Sequence, residues 1–344
     1  MNTRRDGHWS RREFLTNLSF AGSAALLGLQ SDIAAAEPPP ETTRIRTTTA
    51  QTGACVMGPK IVAEALWRAE GFTDVQYQRI PAENLKARLG ALASNATDIE
   101  TTFVGPFLSS IDAGDPIVIL AGLHAGCFEL FGGERVRSIR DLKGKTVAVS
   151  GVGGPDHAFV ASMLAYVGLD ARRDVIWVTL PAAESIERFA NGKVDAFMGF
   201  PAVPQELRAR GLGRVVVNST TDRPWSQYFC CLVAANRDFV RKYPAATKRA
   251  LRAILKAVNV CAVYPGRAAG ALVEKGIIQR YDIALGIMKD VPYGRWSDYD
   301  AEDTMRFYAL QLHEAGVIKT SPNKLIAQGT DWRFIRALKK ELKG

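Results

Sequence analysis

Residues 138–149 read Ser138-Ile139-Arg140-Asp141-Leu142-Lys143-Gly144-Lys145-Thr146-Val147-Ala148-Val149, and the turn Gly151-Val152-Gly153-Gly154 follows almost at once. The apolar end of this stretch, residues 146–149, reads as a strand, and a helix is expected over residues 155–167 with Gly168 as its stop. A strand that passes through a glycine turn into a helix is one arm of a βαβ unit, which places the chain among α/β folds. A glycine turn at a helix N-terminus exposes free N–H groups beside the positive end of a helix dipole, a setting suited to an anion or a polar acceptor. A tight turn and nothing more fits the same spacing.

The alternation extends in both directions. Upstream, strands are expected at residues 45–49, 75–80, 98–103 and 116–123, with helices at 59–70 and 82–93 and a short helix opened by Gly105-Pro106. Pro59 suits the first turn of its helix. The stretch Thr49 to Gly58 offers a second turn rich in donors. Downstream, strands are expected at 175–180, 194–200 and 215–218, with helices at 183–191 and 201–210. Such apolar strands suit parallel sheets covered on both faces by helices. After a strand at 228–235 the chain becomes predominantly helical, and Leu251, Ile254, Leu255 and Val258 mark the inner face of one long helix.

The chain has 344 residues, 47% of them hydrophobic, enough for a real core and about two domains. Its first 36 residues read as an address: Ser10-Arg11-Arg12-Glu13-Phe14-Leu15, a short apolar run, and Ala34-Ala35-Ala36. That pattern is a secretory signal peptide of the twin-arginine type. The apolar run is too short for a spanning helix. A polar leader, residues 37–42, follows. The expected product is exported, periplasmic and soluble.

Several chemistries lack their signatures. The third glycine of a dinucleotide fingerprint would fall at Asp156, and a phosphate loop ending in Gly144-Lys145-Thr146 would need glycine where Ile139 stands. His124, His157 and His313 lie in separate segments, with no H-E-x-x-H and no C-x-x-C, so neither a metal site nor a cofactor is expected. The five cysteines read as buried free thiols. No catalytic constellation and no nucleophile elbow is visible, so no enzyme is expected. The net charge of +9 is dispersed along helices without long basic runs, which argues against a nucleic-acid partner.

The stretch at 138–149 with its glycine turn, together with Ala190-Asn191-Gly192-Lys193-Val194-Asp195-Ala196-Phe197, resembles the solute-binding proteins of ATP-binding-cassette importers. The likeness is to the nitrate/sulfonate/taurine group related to thiamine-pyrimidine binders, and it covers most of residues 43–320. It implies a type II periplasmic binding protein, with two βα lobes joined by a two-crossing hinge and a helical C-terminal region. Lobe 1 would be residues 43–124 plus 227–344, and lobe 2 residues 125–226. The implied partners are a small polar, anionic solute, a membrane permease and the twin-arginine export machinery, with the protein acting as a monomer.

Ligands of open α/β sheets sit at the carboxyl ends of strands. That rule picks Gln51, Thr52 and Gly53; Thr102, Phe103 and Val104; His124 at the crossing; Ser150, Gly151 and His157 around the glycine turn; Gly199 and Phe200; and Trp225 with Tyr228 at the return crossing. Two other readings share the fold. One is a periplasmic ligand sensor. The other is a pyrimidine-synthesising enzyme, which Phe229-Cys230-Cys231 resembles faintly and the export signal contradicts.

Overall fold

A computed structural model describes residues 37–50, 53–81 and 84–343. The expected signal peptide, residues 1–36, therefore lies outside the described residues. From Pro39 onward the chain packs as one unit.

Strand β1 (Arg44–Thr49) leads to helix α1 (Ala54–Ala69) and β2 (Asp74–Arg79), which pairs parallel to β1. Helix α2 (Leu85–Ala93), β3 (Ile99–Phe103), α3 (Val104–Asp112) and β4 (Ile117–Ala125) follow. The chain then crosses into a second sheet through β5 (Glu129–Gly132), β6 (Lys145–Val149), α4 (Pro155–Tyr166), β7 (Val175–Thr179), α5 (Ala182–Ala190), β8 (Ala196–Gly199), α6 (Val203–Ala209) and β9 (Arg214–Asn218). It returns through a short 3-10 turn at Trp225–Gln227 into β10 (Phe229–Asn236). Seven helices complete the chain: α7 (Arg237–Lys242), α8 (Pro244–Val263), α9 (Pro265–Glu274), α10 (Tyr281–Asp290), α11 (Ala301–Glu314), α12 (Pro322–Gly329) and α13 (Arg333–Lys343).

The larger sheet has the order β7-β6-β8-β5-β9, and a three-stranded sheet has the order β3-β10-β4. Both depart from the all-parallel arrangement that the apolar strands implied. β10 runs antiparallel to β3 and β4, and β5 antiparallel to β8 and β9. These are the two strands that begin after a crossing, and each enters its sheet from the far end. β5 is only four residues long, too short for periodicity to reveal it.

Helix α8 buries Leu251, Ile254, Leu255 and Val258 as their spacing implies. Its basic face is used as well: Arg252 and Lys256 reach the Glu70 carboxylate at 2.5 and 3.1 Å. No helix among the described residues is long and apolar enough to cross a membrane.

Helix α1 starts at Ala54, five residues earlier than Pro59 implied, so the proline lies inside it. Proline has no N–H to give the carbonyl four residues back, which here belongs to Cys55. The buried Tyr293 hydroxyl supplies that hydrogen bond instead, at 2.7 Å from the Cys55 oxygen. An early start is thus tolerated because another element repairs the ladder. Tyr293→Phe is expected to lower unfolding free energy by about 1–3 kcal/mol, the effect of orphaning a buried carbonyl. Urea unfolding measures it, and an unchanged midpoint would contradict this account.

Candidate functional site

The chemistry starts with three ionised groups in the interior. Glu100 on β3 is fully buried, and it meets Lys60 of α1 at 2.5 Å and Arg88 of α2 at 3.0 Å through the same oxygen, Oε1. The Thr101 N–H donates to that oxygen too, at 2.7 Å, and the Thr48 hydroxyl donates to the other. Lys60 also donates to the Thr48 carbonyl at 2.9 Å. Charges this deep persist only when paired and hydrogen-bonded. Here two cations share one carboxylate, so the group carries one net positive charge.

Burial opposes the charge on Glu100, but the charges of Arg88 and Lys60 outweigh it and hold the carboxyl down to about 2. Lys60 has one anion and must share it. Burial therefore wins there and pushes the ammonium down to about 8.

Arg88 connects this network to a cavity of about 540 Å³. Its Nε donates to the Thr48 hydroxyl at 3.2 Å and its Nη2 to Glu100, while Nη1 has no partner among the described residues. The cavity wall is largely apolar: Val56, Leu85, Phe103, Phe128, Leu180 and Phe200 line it. Phe128 sits edge-on to Phe103 and Phe200, with centroids 5.3 and 6.0 Å away, and Phe159 supports the pair from behind. Thr102, Ser150 and Thr179 add hydroxyls. Lining residues sit where β3, β6, β7 and β8 end, in keeping with the rule for open α/β sheets. Helices α1 and α5 also begin at this wall, at Gly53 and Pro181, and neither start is capped by a side chain. Their positive ends add to the field of Arg88.

The structure brings five of the residues picked from sequence to this cavity: Gly53, Thr102, Phe103, Ser150 and Phe200. Gln51 and Thr52 lie outside the described residues. The others are placed elsewhere. Val104 is buried at the start of α3, Gly199 is buried at the end of β8, and Gly151 lies in the turn without lining the cavity. His157 packs against Trp177 at 4.6 Å, and burial lowers its pKa, which favours the neutral ring. Trp225 is buried against Tyr166, and Tyr228 stacks on Phe307 at 4.1 Å. His124 is buried beside Tyr293.

The glycine turn also holds its own anion. The Asp156 carboxylate accepts from the Ser150 N–H, from the Ser150 hydroxyl at 3.0 Å and from the His157 N–H at 3.0 Å. The Ser150 and His157 donors beside the turn are thus occupied from within the chain. Arg88 was the residue that sequence reading missed. Its signal, a lone arginine on an amphipathic helix, is that of any solvated basic residue.

A model of the NMT1/THI5-like family matches residues 67–268. The chain belongs to that family. Among characterised relatives, the bicarbonate-binding protein CmpA of Synechococcus elongatus is 27% identical over 128 residues, which is 37% of this chain and 28% of that protein. The chain's match therefore spans less than a third of that relative's length. Among solved structures, the periplasmic nitrate-binding protein NrtA from Synechocystis PCC 6803 superposes with a TM-score of 0.71 at 16% identity, over 89% of this chain and 90% of that one. The periplasmic sulfonate-binding protein SsuA from Methylobacillus flagellatus KT, described as part of a putative sulfonate ABC transporter, gives 0.65 at 20% identity, over 87% and 94%. The family member described here thus has the α/β fold of periplasmic binding proteins.

Glu100→Gln would leave two buried cations without an anion and is expected to lower stability by about 3–5 kcal/mol. Because the folded carboxyl titrates below the ordinary glutamate value of about 4.3, its contribution is complete above about pH 5 and is lost as the pH falls toward 2. Melting curves between pH 7 and pH 3 should show that loss in the parent chain. A variant as stable as the parent at pH 7 would contradict this ledger of charges.

Proposed function

We propose that this chain is the solute-binding component of an ATP-binding-cassette importer and that it captures a small organic anion without chemical turnover. The observation that carries this reading is the net positive Lys60–Glu100–Arg88 group opening through Arg88 onto a largely apolar cavity. A buried cation with a free donor selects negative charge, and aromatic walls select a carbon body. A bare oxyanion would leave much of 540 Å³ unfilled, so a carboxylate or sulfonate with an apolar portion fits better. The names of the similar proteins, which concern bicarbonate, nitrate and sulfonate, support an anion in the same fold.

In this reading residues 43–124 and 227–344 form one lobe and residues 125–226 the other. They close over the solute by a hinge at the two crossings, near residues 126–128 and 219–228. Thr102, Phe103 and Arg88 would hold the solute from the first lobe, and Thr179 and Phe200 from the second. Export through the twin-arginine route, residence in the periplasm, action as a monomer and delivery to a permease belong to the same proposal.

Thermal-shift screening against organic carboxylates, sulfonates, nitrate, bicarbonate and pyrimidines tests it. The true solute at a hundred times its Kd should stabilise by about 2.7 kcal/mol. Phe200→Ala should weaken binding about tenfold while leaving the buried charges intact, and Arg88→Met should abolish preference for the anion. A response confined to neutral compounds, or turnover of any compound, would contradict the proposal.

A further inference from the structure

Four donors that no sequence motif joins meet next to the cavity: Cys55 of α1, His124 of β4, Cys127 in the crossing that follows, and Cys231 of β10. Their ligand atoms lie within 4.8 Å of one another, and all four residues are buried. The sulfurs of Cys55 and Cys127 are 3.7 Å apart. Two sulfurs bound at about 2.3 Å to one tetrahedral zinc ion stand about 3.8 Å apart, the edge of that tetrahedron. That pair already has nearly the spacing that an ion would impose, and the other ligand atoms lie within 4.8 Å.

The histidine is oriented as a ligand should be. Its Nδ1 lies 3.0 Å from the Gly126 carbonyl oxygen and 3.3 Å from that of Ala125, so this nitrogen carries the hydrogen and donates. The other nitrogen, Nε2, is buried and has no hydrogen-bond partner among the described residues, and in the neutral ring it would offer its lone pair to an ion. Backbone carbonyls that fix one ring nitrogen while freeing the other are the usual support of a metal-binding imidazole.

The backbone is held in place at some expense. Cys127 has φ of 140°, a conformation that non-glycine residues seldom adopt. It is fixed by Ser219, whose hydroxyl oxygen accepts from the Cys127 N–H at 3.1 Å and the Phe128 N–H at 2.9 Å. Strain that the surroundings over-determine is a mark of a functional position.

We propose that Cys55, His124, Cys127 and Cys231 bind one zinc ion in a closed, four-coordinate site. The donor set of three sulfurs and one imidazole suits zinc rather than magnesium or calcium. Bound through three thiolates, the ion would leave the site with a net negative charge, so it does not serve as the anion receptor. Its role is structural. It fastens the first crossing between the sheets, through Cys127, to α1 and to the returning strand β10. Because Cys55 and Cys231 also line the solute cavity, the site's negative charge would oppose the field of Arg88 there, and the metal titration below reads the site without reference to any solute.

Anaerobic titration of the reduced, purified chain with Co²⁺, followed by displacement with Zn²⁺, tests the site. One Co²⁺ per chain is expected, with thiolate-to-metal charge-transfer absorption and the intense visible bands of tetrahedral cobalt. Zn²⁺ should abolish both. Cys127→Ser and His124→Gln should weaken binding by at least about a hundredfold, while Cys261→Ser, a buried thiol outside the cluster, should leave it unchanged. Circular dichroism shows whether a cluster variant is folded, and if neither is, the parent titration decides alone. Cys230 lies 3.3 Å from Cys127 by sulfur and offers the competing outcome. A Cys127–Cys230 disulfide in the chain as isolated, no stoichiometric Co²⁺ uptake by the reduced chain, or octahedral cobalt spectra would each overturn the proposal.

Discussion

One carboxylate shared by two cations, sealed from water, is the constraint on which the rest of this molecule turns. Glu100 ties β3 to Lys60 of α1 and Arg88 of α2, and through Thr48 to β1. Four elements are thereby fixed around a charge that needs all of them. Neither cation can leave without stranding an ion in a medium that cannot solvate it. Arg88 is therefore held rigidly where it meets the cavity, and a rigid donor loses little entropy when an anion arrives.

The same economy shapes the other walls. Phe103, Phe128 and Phe200 form a tilted aromatic surface whose geometry is set by contacts with each other and with Phe159. Near the glycine turn, Asp156 takes the Ser150 and His157 N–H groups and the Ser150 hydroxyl. One positive corner and a mostly apolar remainder describe a site for a molecule with one charged end. The cysteine and histidine cluster, two of whose members, Cys55 and Cys231, line the cavity, lies at the first crossing between the sheets.

Much of the fold was legible because it depends on local pattern. Residues 138–168 announce a strand, a glycine turn and a helix, and β6 and α4 lie there. The long helix with Leu251, Ile254, Leu255 and Val258 inside was equally plain. What pattern could not give was anything settled by distant partners. Pro59 looked like a helix start because the sequence does not reveal that Tyr293, over two hundred residues away, satisfies the Cys55 carbonyl. Arg88, Lys60 and Glu100 each read as an ordinary surface charge, and only packing shows that they share one buried site. The grouping of Cys55, His124, Cys127 and Cys231 was hidden for the same reason, since Cys55 and Cys231 reach His124 and Cys127 from other elements. His157, Trp225 and Tyr228 show the converse: a polar or aromatic residue beside a strand end packs inward as readily as it faces a cleft. The charge of +9, for its part, says little about the solute, because a single unmatched charge in the interior matters more than nine dispersed over the chain.

The central claim is that the unmatched charge beside the cavity selects an anion. Calorimetric comparison of an organic acid that binds with its own neutral amide, nearly the same in shape, isolates that charge. The account predicts that the acid binds about 10- to 100-fold tighter, the worth of a charge-assisted contact in a dry site. Equal affinity for the two, or tighter binding of the amide, would contradict it.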